Sequence, residues 1–116
     1  MQTERIEGRT TAIGAWAVVH GHEPVVYLAE NAETISRALA LDLVARLPAS
    51  EVADASRLEE MRRALLEERW AHALIVWMEE TGTTVDVYEG SPKVWTEREL
   101  ELEQATLEIR MAPLLS

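Results

Sequence analysis

The sequence has no cysteine, no phenylalanine, a single lysine (Lys93) and no apolar run longer than the six residues 73–78. Each shortage excludes something. Without cysteine there is neither a disulfide nor a thiolate metal site, so the fold rests on packing alone. A run of six falls far below the ~20 apolar residues of a membrane-spanning helix. Residues 1–5 show neither the basic stretch nor the apolar run of a secretory signal, so a cytoplasmic location is expected. Eleven basic residues stand against 21 acidic ones, a formal charge of -10. A surface of that sign repels phosphate backbones and anionic lipid, so neither nucleic acid nor membrane is an expected partner. The five glycines fall into no phosphate-cradling spacing, and no cofactor is expected.

A chain of 116 residues has the usual size of one domain. Residues 1–116 are read as that domain, with 1–10 a candidate flexible N-terminal segment. Apolar and β-branched residues over 11–19 and 25–29 flank His20-Gly21-His22-Glu23-Pro24, the pattern of a β-hairpin. Trp16 and Val18 fall on one face of the first strand, Ile13 and Val19 on the other. Apolar residues on both faces mark a central strand or one covered twice. Asn31 suits a helix N-cap, and Ile35, Leu39, Leu43 and Leu47 follow at i, i+4 spacing until Pro48.

Ser56 and Glu59 match a capping box for a second helix with Leu58, Met61 and Leu65 on its buried stripe. Its phase fails at Glu68, Arg69 and His72. The apolar run 73–78 is read as a strand, turning at Thr81-Gly82 into a partner over 83–89. The rival reading carries a helix to Glu80 and caps it with Gly82. Thr96 and Glu99 form another capping box before a short acidic helix. Alternation of Leu107, Ile109 and Met111 predicts a last strand, with a helix through Met111 as the competing reading. The expected class is α+β: a two-layer sandwich, a mainly antiparallel sheet of four or five strands carrying two or three helices on one face. The other sheet face must be solvated, covered by the last segment, or buried against another subunit.

No nucleophile elbow or S-x-x-K motif occurs, and abundant surface carboxylates do not define a general acid. No catalytic residue is assigned, and a non-catalytic role is favoured. His20, His22 and Glu23, with His72 as a further ligand, could chelate a metal ion, or simply form a solvated hairpin tip. Asp42 interrupts an apolar helix, facing water or pairing with Arg46 at i+4. Trp16 and Trp77 are expected in the core. Trp70 and Trp95, with Tyr88, are expected to reach a surface where tryptophan favours partner contacts. The primary expectation is a protein–protein interaction module that self-associates as a homodimer or binds another protein. A second is an acidic inhibitor or immunity-type protein presenting Glu97, Glu99, Glu101 and Glu103 to a basic target. A third is a small metal-binding enzyme or ligand-binding protein.

Overall fold

Val and Tyr side chains on either side of a Gly/Pro-bearing tip produce the expected hairpin, β1 (Ala15–Val19) and β2 (Val25–Ala29), paired antiparallel with Val19 opposite Val25. The computed structural model describes residues 12–115; the candidate flexible segment 1–10 lies outside them. Asn31 caps α1 (Ala32–Leu39) by accepting the Thr34 N–H at 2.8 Å, and Glu33 sits in the first turn. The helix continues as one π-type stretch over Ala40–Val44. Then follow α2 (Ala55–Leu66), α3 (Trp70–Thr81), β3 (Val85–Glu89) and three short helices, α4 (Glu97–Ala105), α5 (Leu107–Arg110) and α6 (Ala112–Leu115).

The class is α+β, and among the described residues the sheet has three antiparallel strands in the order β2-β1-β3. The expected four or five strands are corrected at two places. Residues 73–78 belong to α3, with Gly82 ending the helix in the left-handed region at φ 73° and donating to the Met78 carbonyl. Ala73, Leu74, Val76 and Trp77 are all buried because α1 and its π-type extension lie on one side of α3 and α2 on another. A helix covered on two sides needs no polar face over that stretch, so its apolar run imitates a strand. Residues 107–110 are helical as well, which corrects the predicted last strand. With no strand at 73–78 to pair with, β3 joins the free edge of β1, Val85 opposite Val19 and Glu89 opposite Ala15.

The cap of α2 also differs from expectation. Asp54, not Ser56, is the N-cap, accepting from the Ser56 N–H at 2.9 Å. At the other end neither Gly nor Pro stops the helix. Glu68 takes φ 58°, and the N–H groups of Glu68 and Arg69 donate to the carbonyls of Leu65 and Ala64. That is a Schellman closure with a glutamate where glycine is usual. It ends the helical phase where the periodicity fails and turns the chain into α3.

The core lies between the strands and α1, with α3 behind α1 and α2 against α3. On β1 the inward residues Ala15 and Ala17 are small and fully buried. They let α1 approach closely and seat Ile35 and Leu39, which are also fully buried. Each such aliphatic side chain contributes roughly 1.5–3 kcal/mol by leaving water. Tyr27 anchors β2 to the π-type stretch by donating its hydroxyl to Asp42 at 2.5 Å, and Arg46 approaches the same carboxylate at 3.7 Å. The acid that interrupts the apolar helix thus pairs with Arg46 as expected and also holds a strand.

Burial first, then the hydrogen bond to Asp42, pushes the Tyr27 hydroxyl from its ordinary value near 10 up to about 12. A raised folded-state pKa gives stability that is complete below the unfolded value and lost as pH rises from about 10 through about 12. The ring is partly exposed, so screening keeps that contribution small. Phenolate absorbance should detect the shift easily, because the chain has only two tyrosines. A step near pH 12 is expected, and Tyr27→Phe should remove it; a variant that keeps the step would place it elsewhere.

Candidate interaction surface

Strand alternation sends one face of the sheet toward α1 and the other outward. The outward set is Trp16 and Val18 on β1, Val26 and Leu28 on β2, and Asp86 and Tyr88 on β3, aligned as Leu28–Trp16–Tyr88 and Val26–Val18–Asp86. Five of these six are apolar or aromatic. Trp16 and Tyr88 stack with centroids 5.5 Å apart and planes 21° from parallel. Val26 is 57% exposed and Leu28 56%, values natural for a loop but not for the middle of a strand face. Trp16 is therefore not fully enclosed as expected: it is partly buried, packing against the core cluster while stacking on Tyr88 at the outer face. At the β2 edge of this face an apolar depression of about 400 Å³ is lined by Ile13, Leu28 and Ala38, among others.

The second uncovered surface begins after β3. Residues Gly90 to Thr96 lead into α4–α6, and none of these helices packs as an element against the strands or α1–α3. The radius of gyration is 20.1 Å, against about 13 Å for a compact chain of this length. Thr96 and Glu99 do form the predicted capping box, the Glu99 N–H donating to Thr96 Oγ1 at 3.1 Å. The hydrogen bonds from Thr96 hold the Glu99 carboxyl below its ordinary range. Trp95 is half exposed, and Ile109 and Leu114 are 76% and 81% exposed.

The predicted partner-binding residues thus divide. Tyr88 belongs to the open sheet face, while Trp95, Glu97, Glu99, Glu101 and Glu103 lie on the projecting arm. Glu99 is engaged in its cap, and Glu103 accepts from Arg110 at 2.9 Å. Trp70 is on neither surface; it is partly buried at the start of α3, where it helps line an open depression of about 580 Å³ with Ala32, Ser36 and Glu68. Val26 and Leu28 carry no mark of an interaction site in the sequence, and Val18 is recognisable there only as sharing a strand face with Trp16. The signal that could have found them is the apolar character of both faces of β1 and β2 in a protein with few helices to cover them.

His20, His22, Glu23 and His72 are not gathered into one ligand set. His20 Nε2 pairs with Asp86 at 2.7 Å across the β1–β3 edge, and His72 Nε2 pairs with Glu60 at 2.9 Å. Among the described residues no three His, Asp or Glu side chains are placed to hold a metal ion. The His72–Glu60 contact is one tie between α2 and α3; Arg57 makes others, to Glu80 at 3.2 Å and to Glu79, and also pairs with Glu60 within α2 at 2.9 Å. The hydrogen bond from His72, followed by the Arg57 charge, keeps the Glu60 carboxyl low. Burial opposes that shift. The cluster fastens two helices, and a depression of about 490 Å³ opens beside it, lined by Glu60 and His72 together with Ser56, whose hydroxyl donates to Asp54 at 2.7 Å. Glu79 and Glu80 are committed to the cluster.

The fold and its surfaces define an α+β chain with a sheet open on one face and an apolar, acidic arm. No family model, curated protein or solved structure matches it. No helix among the described residues is long and apolar enough to cross a membrane.

Proposed function

We propose that the chain is a non-catalytic protein–protein interaction module, acting in the cytoplasm as a homodimer. The observation that carries this reading is the outer sheet face, where Trp16, Val18, Val26, Leu28 and Tyr88 form one apolar patch in the middle of regular structure. An uncovered β-sheet face of this composition is an association site or an aggregation hazard. Covering it from a second copy would also complete the layered sandwich that the hydrophobic pattern calls for. The absence of cysteine suits a reducing compartment.

Light scattering on the full chain should give a mass twice the 13.1 kDa of one copy. Leu28→Glu places a charge within the patch, on its β2 side, and should weaken association at least about tenfold, without unfolding the subunit, because that side chain lies outside the core. A monomeric wild-type chain at micromolar concentration would remove the reading.

The acidic inhibitor reading draws support from Glu97 and Glu101, exposed on the arm. Salt separates the two. Two copies of charge -10 repel, so added salt should hold or strengthen a homodimer, whereas binding to a basic target should weaken.

A further inference from the structure

Among the described residues the arm and the open sheet face are large uncovered apolar surfaces, and we infer that they are made for each other across two copies: the α4–α6 arm of one protomer lies over the outer sheet face of its partner, reciprocally. The inference rests on the homodimer reading and adds which surfaces meet.

Four observations support it. First, α4, α5 and α6 are nine, four and four residues long. Isolated helices shorter than about 12–15 residues are marginal in water, so these need a surface to lie on. Second, the arm presents apolar side chains along its whole length: Leu100, Leu102, Leu107, Ile109, Leu114 and Leu115 are between 48% and 81% exposed. Third, the areas suffice. At roughly 60–120 Å² of apolar area per side chain, the exposed arm and face residues together offer on the order of 1,000 Å² per chain. A standard interface buries about 800 Å² per partner. Fourth, among the described residues none of α4–α6 packs extensively against its own sheet. A two-fold axis supplies the missing cover twice and closes the assembly, since each copy carries both complementary surfaces.

The absence of native cysteine permits a direct test on full-length protein. One population carries Leu28→Cys, at the junction of the sheet face and the apolar depression beside it. Others carry Leu100→Cys, Leu107→Cys or Ile109→Cys. Mixed with the first and oxidised, at least one arm variant is expected to give a disulfide-linked pair containing one chain of each kind. In a companion measurement, Leu107→Glu combined with Ile109→Glu should weaken dimerisation roughly tenfold or more while the melting temperature of the subunit core is retained.

If the wild-type chain is dimeric but no arm position cross-links and the double glutamate variant associates as before, arm exchange is wrong. The homodimer reading then stands, with the two sheet faces meeting directly. A monomeric wild-type chain, whose doubly substituted Leu28→Cys/Ile109→Cys form closes a disulfide within one chain, overturns both: the arm then covers its own sheet. A monomer that closes no such disulfide likewise overturns both.

Discussion

Leu39→Ala should lower the free energy of unfolding by about 3–5 kcal/mol, the upper part of the range for a buried leucine truncated in a core. Leu39 is fully buried where α1 passes into its π-type stretch, in the same cluster as Ala15, Ala17, Ile35 and Val44. Its neighbours on β1 are alanines, which cannot swing into the vacated space, so the cavity should stay largely open. A domain of this size has a total stability of about 5–15 kcal/mol, so the loss is a large fraction of it. Two positions on, Leu41 is 48% exposed on the opposite side of the helix. Leu41→Ala should cost less than about 1 kcal/mol, because little area and no cavity are involved. Urea unfolding of both variants is the measurement. Equal losses would mean that α1 does not present this face to the sheet.

The second large effect is expected at Gly14→Ala. Considered through the unfolded chain alone, replacing glycine should stabilise by about 0.4–1 kcal/mol. The folded state reverses the sign. A methyl group at Gly14 would lie 2.1 Å from the Glu30 carbonyl oxygen and 3.1 Å from its carbon. Both are backbone atoms, so no side chain can rotate away. The same residue donates to the Ala29 carbonyl at 2.9 Å and accepts from the Gly90 N–H at 2.9 Å, joining all three strands at one end of the sheet. Relief of the clash must therefore disturb pairing on both sides of β1, at a net cost of at least about 2 kcal/mol. Gly21, at the hairpin tip, has open space where its methyl group would be. Gly21→Ala should be neutral or mildly stabilising. Thermal unfolding of the pair checks the contrast, and a Gly14→Ala protein as stable as wild type would refute the close approach.

The interaction surface is partly legible in the sequence alone. Apolar residues on both faces of the first strand required something to cover the second face, and the covered-by-a-subunit option was among those open. Tyr88 and Trp95 were correctly expected away from the core. Trp16 was not, because a tryptophan amid alanines and valines has the same sequence signature whether its strand face looks inward or outward. Only the side of the sheet that α1 occupies distinguishes the two. The hairpin histidines suggested chelation because they are close in sequence. In the fold His20 finds Asp86, 66 residues away, and His72 finds Glu60 on the neighbouring helix.

By itself the sequence determined the features that depend on a few neighbouring residues. The hairpin across residues 20–24, the Asn31 cap, the Thr96–Glu99 box and the central place of β1 follow from turn chemistry, side-chain reach and alternation. Tertiary structure decided the rest. Residues 73–78 are apolar enough for a strand or for a helix covered on two sides, and the presence of α1 and α2 on either side of them selects the helix. Once that stretch is helical, β3 has no neighbour in sequence to pair with and takes the open edge of β1, a pairing across 66–74 residues. Residues 107–110 alternate like a strand, yet among the described residues they pair with no sheet edge, and an unpaired strand would leave its backbone hydrogen bonds unmade where a helix satisfies them locally. The physical reason is common to all three: short apolar segments take the secondary structure that their surroundings can cover and hydrogen-bond, and those surroundings are assembled from distant parts of the chain.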